Sequence, residues 1–583
     1  MSEQKPKFDV LNLILKHSEA YDSLERMELL LEKAGELKPL PVQPVYMALK
    51  QMDESAVAEL LPKFSSTQRS LFLDIDLWVK DDVDVDAFPF WLRAYNLCTD
   101  EKVKHEFVKR PQFLLYLKAS FNVWTFDVEE PEYPDHDNYF LTDDMQLLFE
   151  FHDNYEAVDE IRACVRLLYS EMGVEHAYAY LFKLTSDSYL DLQEREYQQK
   201  ISRLRDYGFV DYFEALEVCH PFATKEHILG QLRKKQKNLT PELGAHSKNE
   251  TLHQSALIAY REKIDRLSVE LDKVKDQKRL DFLHFNFMRL VGSTIAVENA
   301  LKHGKMALTR IGQKSRGVLL LGYDYTVSLT KEETGKDLIP HEKSLFDHFD
   351  FIDLYKVGET LLKTELKTLK KNLASYQFED ENESFLGKFW IDFIDESFGE
   401  VPKISLFTAD REVDAQHIDR LDLYQVWSDR LHILVEMLPF IRGFYETFSK
   451  LTLDGGLQDH FYLNYKIENI DFEAILLSSF ANHLIGSYDR EKNPESIPKL
   501  GLTIQEFKKF VSLVMNKDGQ VDDSLELSKK IVAFQNTYGL SEISGFSDYL
   551  RLVLIHQLEG YDYSNLDERD FQHVGGPIIL SLN

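Results

Sequence analysis

Apolar residues recur every three or four positions through the first 125 residues, which is the pattern of short amphipathic helices. One predicted helix covers residues 9–16, a second covers 23–36, and another begins at Asp53. Ser65 and Gln68 fit a capping box at the start of the next helix. Short helices in series predict a helical superhelix or an irregular helical bundle, and no strict repeat decides between the two.

A different pattern appears between residues 139 and 151. Aromatic and aliphatic residues at Tyr139–Leu141 and at 146–151 flank the turn formers Thr142, Asp143 and Asp144. This arrangement predicts a small β-hairpin.

Helical periodicity returns between residues 155 and 219 and ends at Pro221. Residues 222–250 are mostly polar and lack a pattern, so we predict a linker there. The linker carries a cluster of basic residues, namely Lys225, Arg233, Lys234, Lys235 and Lys237.

A heptad pattern follows the linker. Leu257, Ile264 and Leu271 repeat every seven residues, and so do Tyr260, Leu267 and Val274. Three heptads predict an intramolecular helical hairpin, with a coiled coil as the alternative.

The remaining chain is predicted to be mainly helical. Residues 318–329 fit a helix or a strand, and Ile404–Phe407 fits a short strand. The helical segments are 280–303, 346–373, 421–448, 472–485, 504–515, 524–537 and 546–558.

These patterns predict a mainly α protein. We expect an N-terminal α-superhelical domain over residues 1–221 with the hairpin near 139–151, the linker over 222–250, and a C-terminal helical bundle domain over 251–583. Only 25 Gly and 17 Pro occur in 583 residues, which favours long helices over a turn-rich β fold.

The net charge of −31 at pH 7 narrows the range of partners. A surface this negative repels phosphate backbones and anionic lipid headgroups, so we expect no nucleic-acid binding. The acidic stretch 127–144 is predicted to be a solvated loop, with a basic partner or a hard cation as the alternative. The basic linker is predicted to be an ordinary linker, with an acidic surface as its alternative ligand.

The cysteines and the hydropathy pattern bear on the compartment. Cys98, Cys164 and Cys219 are far apart and odd in number, which predicts a reducing environment. The first residues show no signal-peptide pattern, and no apolar run approaches the roughly 20 residues that span a bilayer. We therefore predict a cytoplasmic protein without membrane insertion.

Five segments carry a family resemblance: LLPKFSSTQRSLFLDIDLW at 60–78, YFLTDDMQLLFEF at 139–151, RLRDYGFVDYFEAL at 203–216, LFDHFDFIDLYKVGETLL at 345–362 and HVGGPII at 573–579. On these segments the chain resembles the bacterial domain-of-unknown-function 6178 family over nearly its whole length. Residues 60–78 are also similar to the helical N-domain of MgtE-type magnesium transporters. That resemblance implies an α-superhelix with acidic residues near regulatory magnesium, but no metal-sensing residue is matched position by position.

Motifs for common chemistries are incomplete. Gly312–Ser315 lacks the first glycine of a phosphate loop, and Gly545–Ser547 lacks the second glycine of a nucleophile elbow. Cys219 and His220 are sequence neighbours and do not face each other on a helix, so we predict a buried structural cysteine. Asn516–Gln520 resembles part of a calcium loop, but it has no closing carboxylate, and a capped turn is predicted instead.

One histidine–carboxylate cluster could hold a metal. We predict that its helical acids lie on a solvated face, with a partial metal site as the alternative. The cluster consists of His341, Glu342, Asp347, His348, Asp350 and Asp353.

The sequence therefore predicts a non-enzymatic helical scaffold or adaptor that binds an unknown protein partner. No catalytic residue, cofactor or metal ligand is assigned. The alternatives are an enzyme with a non-motif, metal-assisted site in the C-terminal domain, and a cation-sensing regulator.

Overall fold

The computed structural model describes residues 24–34, 37–38, 40–153, 155–237, 266–332, 344–407, 413–453, 470–486, 501–560 and 563. Several predictions concern other residues. The helix over 9–16, the heptad positions before Arg266, His341, Glu342 and the HVGGPII segment lie outside the described residues.

The fold is mainly α, as predicted. The helices of the first 237 residues are α1 (Leu24–Ala34), α2 (Val42–Leu49), α3 (Glu54–Leu60), α4 (Ser66–Asp76), α5 (Phe88–Leu97), α6 (Glu101–Val108), α7 (Pro111–Ser120), α8 (Val158–Met172), α9 (Val174–Leu181), α10 (Lys183–Ser186), α11 (Tyr189–Arg205), α12 (Tyr212–Cys219) and α13 (Lys225–Lys237).

The later helices are α14 (Arg266–Leu271), α15 (Gln277–Val297), α16 (Ala300–His303), α17 (Lys305–Glu332), α18 (Phe351–Ser375), α19 (Lys388–Phe398), α20 (Leu421–Leu453), α21 (Phe472–Ile485), α22 (Ile504–Val514), α23 (Leu525–Tyr538) and α24 (Phe546–Leu558). The ambiguous segment 318–329 is helical, within α17. Short 3₁₀ turns cover Leu61–Lys63, Leu345–Asp347 and Asp380–Leu386.

The strands are short: β1 (Trp78–Val79), β2 (Asp82–Val83), β3 (Asn122–Thr125), β4 (Tyr139–Leu141), β5 (Leu147–Glu150), β6 (Lys403–Phe407) and β7 (Val413–His417). The predicted hairpin is confirmed, since β4 pairs antiparallel with β5 and Phe140 lies opposite Phe149. The sequence missed β3, which pairs with the other edge of β5. The strand predicted at residues 404–407 is confirmed as part of β6.

Contacts divide the chain into two compact units. Unit 1 comprises residues 1–220, 229–316 and 329–356, and unit 2 comprises 221–228, 317–328 and 357–583. This grouping differs from the predicted domains, which place everything after residue 250 in one C-terminal domain. Within the predicted linker, residues 225–237 form helix α13.

Local sequence signals account for several helix starts. The predicted capping box is present, because Ser65 Oγ accepts from Gln68 N at 3.1 Å while Gln68 Oε1 accepts from Ser65 N at 3.0 Å. Asp100 caps α6 by accepting a hydrogen bond from Lys102 N at 2.9 Å. Such caps satisfy backbone N–H groups that have no partner inside the helix.

Aromatic side chains fill the core of each unit. In unit 1, Phe88 stacks on Tyr116 with ring centroids 3.9 Å apart. In unit 2, Trp390 stacks on Tyr549 at 4.7 Å and donates a hydrogen bond to its hydroxyl. These contacts join helices that are not consecutive in the chain.

No helix among the described residues is both long enough and apolar enough to cross a membrane.

Candidate functional site

Helix α4 buries two carboxyl groups inside unit 1. Asp76 is fully enclosed, and its oxygens accept from Tyr46 Oη at 2.6 Å, Lys50 Nζ at 2.9 Å and Trp91 Nε1 at 2.6 Å. Three donors thus meet one carboxyl group. Asp76 therefore ties α2, α4 and α5 together and has a structural role.

Asp74, two residues earlier, has a different partner. Arg203 of α11 binds both of its oxygens, with Nε to Oδ2 at 2.8 Å and the second nitrogen to Oδ1 at 2.9 Å. Gln112 of α7 donates to both Asp74 and Glu196 at 2.9 Å. Burial raises the pKa of Glu196 although Arg203 opposes that shift. The result is a buried polar network at one wall of a cavity.

This cavity has a volume of about 190 Å³. Most of its wall is apolar, from Ile75, Trp78, Val79, Ile201, Leu204, Phe209, Val210, Ile295, Ala296, Val297 and Leu301. Its polar side chains are those of Gln43, Asp74, Lys80, Lys200, Asp211, Tyr212 and Asn299. A mostly apolar concavity with a few polar groups is the usual form of a small-molecule site.

Lys200 is the ionisable group that stands out. Its ammonium nitrogen lies 4.8 Å from the ring centres of both Trp78 and Tyr197, and it donates to the backbone oxygen of Lys80 at 3.2 Å. Burial lowers the pKa of Lys200 to about 8, while Asp74 and Asp211 act in the opposite direction. Among the described residues, no carboxylate lies within 4 Å of the nitrogen.

Asp211 forms the wall at the start of α12. It accepts a hydrogen bond from Tyr197 Oη at 2.7 Å and one from Phe213 N at 3.1 Å. The Tyr197 hydroxyl is therefore directed at Asp211, and its ring remains under Lys200. This arrangement positions the amine at the cavity without supplying a free base.

No motif in the sequence indicates this site. Asp74 and Asp76 lie inside the apolar run Leu71–Trp78. Acids within such a run indicate buried carboxyl groups, and this was the one sequence feature that could have pointed to the site. Lys200 gives no such signal, because it lies in a strongly polar helix.

The predicted solvated face was wrong for Asp350 and Asp353. Both are buried, and each accepts a hydrogen bond from the backbone N–H of the other at 3.0 Å. Asn286 also donates to Asp350 at 3.1 Å. These acids cap the start of α18, because a helix start leaves N–H groups to satisfy. Among the described residues, no group of three or more His, Cys, Asp or Glu side chains is arranged to hold a metal ion.

The other motif candidates are elements of local structure. Asn516 Oδ1 accepts from Asp518 N at 2.9 Å and from Gln520 N at 3.0 Å, which confirms the predicted capped turn. Cys219 is buried, as predicted. Gly312–Ser315 lies within α17, and Gly545 precedes α24.

Unit 2 contains one cluster of the kind predicted for a non-motif enzyme. Glu365 pairs with Lys225 and accepts from Ser428 Oγ at 3.0 Å, while His432 lies 3.6 Å from its other oxygen. The serine proton points at the carboxylate, and the serine lies 3.5 Å from His432 Nδ1. Burial opposes ionisation of Glu365, but Lys225, His432 and Ser428 together outweigh it and lower the pKa of Glu365. Glu365 thus anchors the start of α13 on α18 and α20.

Comparison with known proteins gives one positive result. A search of curated proteins and a search of solved structures each found no significant match. A family model described as "Family of unknown function (DUF6178)" matches residues 10–574. The match covers nearly the whole chain, so the protein belongs to the DUF6178 family.

Proposed function

We propose that unit 1 binds a small, neutral and largely apolar molecule whose carbonyl oxygen accepts a hydrogen bond from Lys200. The observation that supports this proposal most directly is the small number of hydrogen bonds that the Lys200 ammonium group makes. It lies at an apolar cavity, and its one hydrogen bond to a described residue goes to the oxygen of Lys80. An ammonium group has three donors, so it has capacity for a ligand.

The charge of the wall favours a neutral ligand. Lys80 and Lys200 face Asp74 and Asp211, so the formal charges of the lining residues cancel. A strongly anionic ligand would meet the two acids, and a cationic one would meet the lysines. The volume suits a molecule smaller than most drugs, whose pockets measure roughly 300–1,000 Å³.

We expect the cavity to bind its ligand without a chemical reaction that needs a general base, because both acids in its wall already have hydrogen-bond partners. Arg203 occupies both oxygens of Asp74, and Tyr197 with a backbone N–H engages Asp211. A general base needs an oxygen that is available to the substrate proton. These acids are engaged in positioning Arg203 and Tyr197.

The broader role proposed from the sequence is that of a scaffold or adaptor, and ligand binding in unit 1 is compatible with it. The protein partner, the cytoplasmic location, the bacterial source and the lack of nucleic-acid binding stay predictions. Cation sensing and the likeness to the MgtE N-domain also stay predictions. Affinity purification under mild conditions checks the adaptor role, and recovery of no stoichiometric partner would count against it.

The binding proposal is tested with two probes of similar shape. Acetophenone carries a carbonyl oxygen, and ethylbenzene carries a methylene group in its place. Calorimetric titration of the full chain compares wild type with Lys200→Met and with Lys183→Met. Lys183 is the control, because it lies over the ring of Tyr180 at 5.5 Å and does not line the cavity.

We expect Lys200→Met to weaken acetophenone binding about tenfold, the effect of losing one hydrogen bond to a charged donor. Ethylbenzene binding should change little, and Lys183→Met should bind both probes as wild type does. Equal affinity of wild type for the two probes would refute the carbonyl contact.

A further inference from the structure

We infer that Lys200 forms a reversible imine with a small aldehyde held in the unit 1 cavity. This inference rests on the proposed function, because it names the class of carbonyl compound that the cavity accepts. It adds a covalent step that simple hydrogen bonding to a ketone does not include.

The cavity holds the amine where a carbonyl carbon could reach it. Lys200 Nζ is fixed by the Lys80 oxygen at 3.2 Å and by two aromatic rings at 4.8 Å. Most of the cavity wall is apolar, and such a wall receives the hydrocarbon part of an aldehyde. When the amine and the bound aldehyde are held side by side, their reaction becomes effectively unimolecular instead of bimolecular.

The protonation state of the amine supports the reaction. Burial lowers the pKa of Lys200 to about 8. An exposed lysine has a pKa near 10.4, so at pH 7 Lys200 carries about 200 times more of the neutral, nucleophilic amine.

The charges near Lys200 favour an imine over a carbamate. Asp74, Asp81 and Asp211 all favour positive charge at the Lys200 nitrogen, and the opposing effect of Arg203 is smaller than that of each acid. A carbamate would place a negative charge among these acids. A protonated imine keeps the positive charge over the rings of Trp78 and Tyr197, where the aromatic faces attract it.

The step balances without an oxidant or a reductant. The neutral Nζ attacks the aldehyde carbon, a C–N bond forms, and the carbonyl oxygen takes up a proton as the nitrogen loses one. The hydroxyl group of the resulting carbinolamine takes up a proton from solvent and leaves as water while the nitrogen lone pair forms the C=N bond, which gives the protonated imine. Water reverses the reaction when the aldehyde leaves.

Borohydride trapping tests the inference on the full chain. The protein is incubated with benzaldehyde at pH 7, treated with sodium borohydride to reduce any imine to a stable amine, and analysed by intact mass and peptide mapping. The variants are Lys200→Arg, which keeps the charge, and Lys183→Arg as the matched control. Circular dichroism confirms that each variant is folded.

We expect a single adduct at Lys200, formed at least about tenfold faster than at Lys183. Lys200→Arg should lose this adduct, and Lys183→Arg should retain it. Excess acetophenone should slow trapping in wild type, which gives a second measurement if Lys200→Arg does not fold. Labelling spread evenly over exposed lysines, with Lys200 unmodified, would overturn the imine.

The outcomes separate this inference from the proposed function. Carbonyl-dependent binding of acetophenone without an adduct at Lys200 rejects the imine and keeps the binding site. An adduct at Lys200 without carbonyl-dependent binding of acetophenone supports the imine and rejects the hydrogen-bonded mode.

Discussion

Two buried carboxyl groups, Asp74 in unit 1 and Glu473 in unit 2, are accommodated in opposite ways. Asp74 in unit 1 lies against the guanidinium of Arg203, which binds both of its oxygens. Glu473 in unit 2 has no Lys, Arg or His within ion-pair distance among the described residues. Phe389 N donates to it at 2.6 Å and the Gln557 side chain donates to its other oxygen.

The difference shows what a buried acid requires. Removing a charge from water is costly, so the group either finds an opposite charge or binds a proton. Burial raises the pKa of Glu473 to about 8, and the neighbouring Asp471 adds to the shift. Asp74 therefore depends on an ion pair, whereas Glu473 depends on protonation.

The largest expected effect comes from breaking the ion pair of unit 1. Arg203→Met leaves Asp74 and Glu196 buried without their cation, and we expect unit 1 to lose about 4 kcal/mol of unfolding free energy. Hydrogen-exchange mass spectrometry checks this, because amide protection is read separately for peptides of each unit.

The control for this substitution lies on the same helix. Arg195 is 68% exposed and lies 4.0 Å from Asp187. Arg195→Met should cost less than about 0.5 kcal/mol. Similar losses for the two variants would show that the buried pair has no special role.

A pH series tests the protonated acid of unit 2. The pKa of Glu473 is about 8 when folded and near 4.5 otherwise, so between these values the folded state holds a proton that the unfolded state lacks. The stability of unit 2 should therefore fall as pH rises from 4.5 to 8, by about 4 kcal/mol.

Glu473→Gln removes the titrating proton and keeps the shape of the side chain. Protection of unit 2 amides in this variant should vary much less between pH 5 and pH 8 than in wild type. Equal pH dependence in the two proteins would assign the effect to another group.

Two glycines with positive φ, one in each unit, test whether the close packing around Glu473 contributes to the stability of unit 2. Gly387 has φ of +93° and precedes α19, and a Cβ there would lie 2.5 Å from the Glu473 side chain. Gly173 in unit 1 has φ of +77°, and a Cβ there would meet nothing within 4 Å.

Gly387→Ala should therefore destabilise unit 2 by about 2 kcal/mol, through strain and displacement of Glu473. Gly173→Ala should cost unit 1 only the backbone strain, about 1 kcal/mol. Chemical denaturation followed by hydrogen exchange measures both. If the two costs are equal, the close approach of Glu473 has no energetic consequence.

The smallest effect concerns Lys200, an ionisable group of unit 1 without an ionic partner among the described residues. Its folded pKa of about 8 lies below the ordinary 10.5, so stability should rise with pH across this window. The shift of the pKa from 10.5 to about 8 corresponds to a cost of roughly 3 kcal/mol for the charged amine at pH 7. Lys200→Met removes this cost but also loses the contacts with Trp78, Tyr197 and the Lys80 oxygen, so we expect a net gain of about 1 kcal/mol for unit 1.

The gain from Lys200→Met should shrink toward pH 10.5, where the folded amine is neutral and half of the unfolded amine is neutral as well. Lys183→Met should show no pH-dependent gain, since Lys183 is exposed. Thermal melts across pH 7–10 provide the measurement. A gain that stays constant with pH would assign the effect to packing.

Parts of the fold were predictable because their signals are local. The Ser65 capping box and the hairpin over residues 139–151 depend on neighbours a few positions away. The strand β3 was missed because its partner β5 lies about 25 residues further along the chain. The solvated face at Asp350 and Asp353 was wrong because helical spacing does not show which face a neighbouring helix covers.

The site could not be predicted for a related reason. Asp74 and Arg203 are 129 positions apart, and no motif links them. The ring of Trp78 and the backbone oxygen of Lys80 are about 120 residues from Lys200 in the sequence, and the tertiary fold brings them into contact with it.

The sequence by itself determined the mainly α class, the hairpin and the anionic character of the chain, because periodicity, caps and charge are properties of neighbouring residues or of composition. Only the tertiary structure decided which acid is paired, which is protonated, and where an amine meets an apolar cavity. Burial sets these properties, since the cost of a charge depends on the side chains that replace water around it, and those come from distant parts of the chain.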